Sequence, residues 1–289
     1  MRWEELTGDD FVQAVADSRR VCLLSMGIIE RHGPHLPLGT DMLNGQYICE
    51  LAAQREKAVV FPPWFLGQIF EASCFPGTIT LPPALTVEVM LAILDEIGRN
   101  GFTKIIIFVA HGGNNYFAPF LSQCLHHSPK PYSVYVVFYD CAMTAEDHKR
   151  FDAVMDMPEG GHADEMETSI TLAHRPDLVK MDCIRHHPGA KPLGRLDAVA
   201  GEAGTFYSPI RWYANFPEHY AGDARHSTPE KGAQLCTIMA DALAAFIKRV
   251  KLDKVAPALD AEFFARKAQV PTAAPSRKTR KPAGKARRR

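Results

Sequence analysis

The sequence holds no C-x-x-C pair. Its seven cysteines are scattered, and their number is odd. A disulfide framework and a cysteine zinc site are therefore not expected. No apolar run approaches the roughly 20 residues that cross a bilayer as a helix. The first residues carry acids, Glu4 and Glu5, where a signal peptide would be basic and then apolar. These absences set the expectation of a reduced, cytoplasmic protein with no membrane partner. A net charge is missing too, with 33 Lys and Arg against 33 Asp and Glu. That balance hides an asymmetry. Residues 277–289 contain eight Lys or Arg and no acid, which leaves the rest of the chain at 25 basic against 33 acidic side chains, a net of −8. An acidic body with a basic tail is not in itself a nucleic-acid-binding fold, because no basic face is required of the body. The basic end reads as a solvated, disordered tail whose nucleic-acid contact would be weak and non-specific.

What is present is ordinary globular material. At 289 residues, 46% hydrophobic and 23% charged, the chain can bury a core without staples. Short β-branched runs alternate with helical patterns. Val21–Met26, Ala58–Phe61, Lys104–Ala110 and Tyr132–Tyr139 read as strands. Asp41–Gln54, Thr86–Arg99, Asn115–His126, Asp164–Ala173 and Glu230–Val250 read as helices. Such alternation predicts an α/β fold: a single domain with a central, mainly parallel sheet and helices on both faces. The expected boundary is a domain over 1–265 and a basic tail over 266–289.

In an open parallel sheet, ligands sit beyond the carboxyl ends of the strands. Three segments put metal-ligand chemistry there. Glu30 and His32 follow the first strand and, two apart in extended backbone, point the same way; Asp41 stands nine residues after His32. His111 ends the third strand, before Gly112-Gly113. His162, Asp164, Glu165 and Glu167 open a predicted helix. Each has a plain structural use. Asp41 and Asp164 suit helix caps, acids in a first turn suit the helix dipole, and His111 suits a turn. Together the Glu, His, Asp, His, Glu set has the mixed nitrogen and oxygen character of a two-metal hydrolytic site in which one carboxylate bridges the ions. Zinc, manganese and iron all accept such donors. Cys74 lacks a basic partner and reads as a buried thiol. His126-His127 and His186-His187 read as surface pairs. Trp64, Trp212 and Tyr213 are candidates for a pocket wall, and the irregular stretch 204–227 for a functional or interfacial loop.

The motifs Glu30-x-His32-Gly33-Pro34-His35-Leu36-Pro37-Leu38-Gly39-Thr40-Asp41, Phe75-Pro76-Gly77-Thr78, His111-Gly112-Gly113-Asn114 and His162-Ala163-x-Glu165-x-Glu167-Thr168-Ser169 occur in this order. With Gly222-Asp223 and Thr228-Pro229-Glu230-Lys231-Gly232 they span about residues 20–250, and the chain resembles the creatininase (creatinine amidohydrolase) family over that span. The resemblance implies a metal-dependent amidohydrolase with two divalent ions per subunit, a small-molecule substrate and a homo-oligomer, hexamers among the family's forms. It implies that Glu30 and His111 hold one ion, His32 the other, that Asp41 bridges them, and that His162 transfers a proton. One position departs. Creatinine-cleaving members carry a metal-binding Glu where this chain has Gly113. Glu165 is the first choice to replace it and Glu167 the alternative. The chain also lacks the histidine that many relatives carry just ahead of the Phe-Pro-Gly-Thr stretch. Both departures point away from creatinine itself, toward another cyclic or linear amide. A lactone, a formamide or a cyclic ketone or sugar-derived ring is the other substrate class, and an inactive scaffold the non-enzymatic alternative.

Overall fold

A computed structural model describes the chain except residues 140–141, 158–159, 188, 201–205 and 271–289. Among the described residues four strands form one sheet: β1 (Val21–Met26), β2 (Val59–Val60), β3 (Lys104–Val109) and β4 (Ser133–Phe138). They are all parallel, in the order β2-β1-β3-β4. The helices are α1 (Gly8–Asp17), α2 (Thr40–Arg55), α3 (Pro83–Arg99), α4 (Asn114–Cys124), α5 (Ala145–Val154), α6 (Glu165–His174), α7 (Asp197–Ala200), α8 (Arg211–Asn215), α9 (Pro229–Leu252) and α10 (Val255–Ala268).

The reason for continuous apolar strands is that both sheet faces are covered. Val21, Leu23, Ile106 and Phe108 face one way, against Ile48 and Ala52 of α2 and Leu235, Met239, Leu243 and Ile247 of α9. Cys22, Leu24, Ile105 and Ile107 face the other, against Met90, Leu94 and Ile97 of α3 and Leu121 of α4. Lys104, at the start of β3, donates to the carbonyls of Val250, Lys251 and Asp253, satisfying the open end of α9.

Several elements depart from the sequence reading. Helix α3 starts at Pro83, three residues before Thr86; Pro82 takes the cap position, and the Thr86 hydroxyl bonds the Pro82 carbonyl inside the first turn. Helix α2 is capped at Gly39 without a side chain, which frees Asp41 for other partners. Helix α10 continues to Ala268, past the expected boundary at 265. The basic segment 277–289 lies outside the described residues.

Candidate metal centre

The loop after β1 and the loop after β3 leave the same edge of the sheet, because Met26 and Val109 are register partners. Glu30, His32 and His111 are thereby brought together over the first turn of α2, where Asp41 sits. All four are buried. The Nδ1–H of His32 donates to the Glu30 carbonyl at 3.2 Å, which aims Nε2 at Asp41 Oδ1, 3.0 Å away, and at Glu167 Oε2, 3.9 Å away. On the other side, His111 Nδ1 lies 2.9 Å from Asp41 Oδ2 and 3.1 Å from Glu30 Oε1.

Two triplets of ligand atoms result, each drawn to within 4.8 Å: Glu30, Asp41 and His111, and His32, Asp41 and Glu167. Asp41 belongs to both. A third triplet, Glu30, His32 and His162, overlaps them. Glu30 Oε1 and Asp41 Oδ2 are buried and accept no hydrogen bond. Buried carboxylate oxygens that have a charged neighbour but no hydrogen bond are incompletely satisfied, and the mixed imidazole and carboxylate donor set suits a divalent ion that would complete them. The electrostatics agree. Burial alone would raise the Asp41 carboxyl, but His32 and His111 outweigh it and lower it; His111 likewise helps to hold the Glu30 carboxyl well below the usual range. Burial works against a charge on His32, yet Asp41, Glu167 and Glu30 outweigh it and hold the ring's pKa up to about 10. Burial, with Asp41 and Asp164 nearby, pushes Glu167 up to about 8. A proton is held here among negative oxygens, as a cation would be.

The two acids proposed for the place of Gly113 part company. Glu165 is fully buried and paired with Lys231, and its Oε2 accepts the N–H groups of Asp156 and Met157 at 3.0 and 2.8 Å. It is in none of the three donor triplets. Glu167 turns to the centre, its Oε2 also taking the N–H of Ala163 at 2.6 Å. Glu167 thus faces the centre and Glu165 faces away from it for a geometric reason: two residues along a helix lie about 200° apart around its axis. Asp164 is the cap of α6, accepting the Glu167 N–H at 3.1 Å. Gly113 itself has no room for a side chain. A β-carbon there would stand 2.3 Å from Gln68 Oε1 and 2.5 Å from His111 Nε2.

His162 donates its Nε2–H to the Arg31 carbonyl at 2.8 Å, so the bare Nδ1 faces the centre, 3.9 Å from Glu30 Oε1. Burial and then the neighbouring His32 push its pKa down to about 3, and the ring is neutral. The residue that follows, Ala163, has φ +55°, a left-handed conformation costly for a side chain bearing a β-carbon.

Above the centre opens a cavity of about 880 Å³. Its walls include Phe117, Phe120, Trp212 and Phe216, and its floor Glu30, His111, His162 and Glu167. Of the aromatic candidates Trp212 lines it, while Trp64 packs beside β1 and Tyr213 lies under Arg195. Sequence reading overlooked His219, which donates to Glu30 Oε2 at 2.6 Å. The only signal was the Tyr-, Pro- and His-rich character of 204–227. Cys74 is exposed, contrary to expectation, because it follows a short 3₁₀ turn, Phe70–Ala72, at the surface. His126, His127 and His186 are exposed as expected, whereas His187 is half-buried against Tyr220.

The family model for creatinine amidohydrolase matches residues 4–247. The chain is 28% identical to the creatinine amidohydrolase of Pseudomonas putida over 201 residues, covering 64% of this chain and 76% of that one. It is 28% identical to the mycofactocin precursor peptide peptidase of Mycolicibacterium smegmatis over 248 residues, covering 80% and 86%. To the 3-dehydro-scyllo-inosose hydrolase of Thermotoga maritima it is 24% identical over 248 residues, covering 79% and 76%. A solved structure of creatinine amidohydrolase superposes with a TM-score of 0.69 at 23% identity, covering 88% of this chain and 98% of the other.

Proposed function

The chain belongs to the creatininase family of hydrolases, and from that premise we propose that it hydrolyses a C–N amide bond using two divalent ions held by one carboxylate-bridged donor set. The observation that carries this is the pair of buried oxygens that accept no hydrogen bond, Glu30 Oε1 and Asp41 Oδ2, at the meeting point of two histidines and Glu167. Glu30 and His111 would hold one ion, His32 and Glu167 the other, with Asp41 across both. When bound, the ions lower the pKa of a water to about 7 and polarise the scissile carbonyl. The remaining work belongs to the protein. The His32 Nδ1–H bond to the Glu30 carbonyl fixes the ring so that Nε2 faces inward. The bare Nδ1 of His162 takes the proton released by the attacking water and returns it to the leaving nitrogen, so that the amine departs neutral. The aromatic walls orient the substrate and exclude bulk water from the reacting atoms.

Metal analysis of the purified protein tests the first half of this reading. Two ions per chain are expected for the wild type and fewer for Asp41→Ala. Full metal content in that variant would sink the bridging assignment. His162→Ala should keep its ions while turnover falls roughly 10²- to 10⁴-fold; unchanged turnover would remove its role.

The space above the centre and the relatives bear on the substrate class. The cavity is roomy and aromatic. This supports an amide larger than creatinine, up to a short peptide segment such as the name of the mycobacterial relative indicates. A second reading, hydrolysis of a ring ketone, is supported by the inosose hydrolase relative. Turnover of cyclic amides, formamides, short peptides, lactones and cyclic ketones by the metal-loaded enzyme separates them; activity on lactones or ketones alone would replace the amide reading.

A further inference from the structure

The two oxygens of Glu30 serve different neighbours. Oε1 accepts no hydrogen bond and faces His111. Oε2 is 2.6 Å from His219 Nε2. The tautomer of His219 is decided from its other side. The indole Nε1–H of Trp212, a donor only, reaches His219 Nδ1 at 3.0 Å. Nδ1 must therefore accept, Nε2 must carry the proton, and Glu30 Oε2 must receive it. The chain of donors runs one way, from Trp212 through His219 to Glu30. It uses one carboxylate oxygen and leaves the other free.

The backbone supports this arrangement at a cost. His219 has φ +52°, a left-handed conformation that a β-carbon disfavours. It is held there by its carbonyl, which accepts the Gly33 N–H at 3.0 Å, and by its own N–H, which donates to Phe216 at 3.0 Å. Strain of this kind persists where surrounding contacts over-determine a side chain. The imidazole is buried against Phe75, His162 and Trp212, with ring centroids at 5.3, 4.5 and 5.8 Å. Trp212, by contrast, is a wall of the cavity.

We propose that Trp212 and His219 are positioning residues that set the orientation of the Glu30 carboxylate, and so the affinity of the ion that Glu30 would share with Asp41 and His111. Through Trp212 that affinity is tied to whatever occupies the cavity. The inference rests on the two-metal reading above. It assigns a hydrogen-bonded role to a tryptophan whose ring suggests packing alone.

The test is a metal titration of the full-length, metal-free protein. Zinc and, separately, manganese compete with a chromophoric chelator, which gives stoichiometry and affinity without turnover. Three variants are compared at matched thermal midpoints. Trp212→Phe keeps the aromatic wall and loses the N–H. His219→Leu loses the relay. His219→Gln keeps one acceptor and one donor. One ion should bind 10- to 100-fold more weakly in Trp212→Phe and in His219→Leu, the range seen when partners of metal ligands are removed. The other ion should be unchanged, and His219→Gln should recover most of the loss. Wild-type affinity for both ions in Trp212→Phe and His219→Leu would overturn the relay while leaving the metal centre standing. A His219→Gln variant as weak as His219→Leu would show packing, not hydrogen bonding, to be the cause, and would also overturn it. A wild type that takes up neither ion would bring down the two-metal reading, and the relay with it.

Discussion

Glu165 and Glu167 are the same chemical group two positions apart, and their surroundings give them different tasks. The carboxylate of Glu165 is locked by Lys231 and two backbone N–H groups, whereas that of Glu167 faces His32. Glu167→Gln should lower the metal content by one ion and abolish turnover. Glu165→Gln should keep both ions and lose stability by about 2 kcal/mol, since Lys231 then keeps only Asp156 as a charged partner. Metal analysis with urea unfolding of the two variants checks the pair, and reversed phenotypes would return the ligand role to Glu165. His35 provides a pH-dependent test. Burial, with His32 and His187 nearby, pushes its pKa down from 6.5 to about 4, and its Nε2 meets the Thr168 hydroxyl at 2.8 Å. The unfolded chain takes up a proton that the folded chain refuses. The contribution of His35 is therefore complete above pH 6.5 and lost as pH falls toward 4, about 3 kcal/mol in all. Urea midpoints between pH 7 and pH 4 should fall less steeply in His35→Gln than in the wild type; parallel curves would refute this.

Among the elements, the contact between α6 and α9 is the tightest against the site. A β-carbon on Gly232 would lie 1.8 Å from the Ser169 carbonyl oxygen. The two helix backbones touch there, and α6 also carries Glu167. Gly232→Ala should cost on the order of 3 kcal/mol and reduce the retention of metal, because separating the helices moves Glu167. A urea midpoint and metal content equal to wild type would show that α9 can shift freely. The strands were legible because runs such as Ile105–Val109 are buried on both faces and apolar throughout. Helices α1 and α5 were not read from sequence, although Thr7 and Thr144 cap them with side chains, and α5 has a full capping box with Asp147. Helix α5 buries no residue fully, and a cap without a strong hydrophobic stripe is a weak signal; α1 does carry an apolar stripe, Phe11, Ala14 and Val15, but over only ten residues. The start of α3 was misplaced because Thr86 is a good cap residue by type, while the preceding prolines, which suit a first turn, set the actual start.

For the molecule as a whole, no helix among the described residues is long and apolar enough to cross a membrane. The matched family region ends at 247 and α10 runs to Ala268, so deletion of 271–289 should leave metal content and turnover unchanged; a loss of either would give the basic segment a part in the site. Family membership carries the expectation of a homo-oligomer, and Tyr116 and Phe120 stand exposed beside the cavity. Sedimentation velocity of the intact chain should show a species larger than a monomer, and a monomer at micromolar concentration would refute this.

Sequence alone determined the sheet, the strand ends that carry Glu30, His32 and His111, and the type of donor available, because apolar runs and ligand chemistry are local properties. It also separated this chain from the creatinine-cleaving pattern at Gly113. Tertiary structure decided which acid turns inward, since a rotation of about 200° between Glu165 and Glu167 is invisible until α6 is docked on α9. It released Asp41 from a capping role by placing the cap at Gly39. It also brought His219 to Glu30 across 189 residues of chain, where no spacing rule reaches and only the packing of an irregular loop over the sheet edge sets the contact.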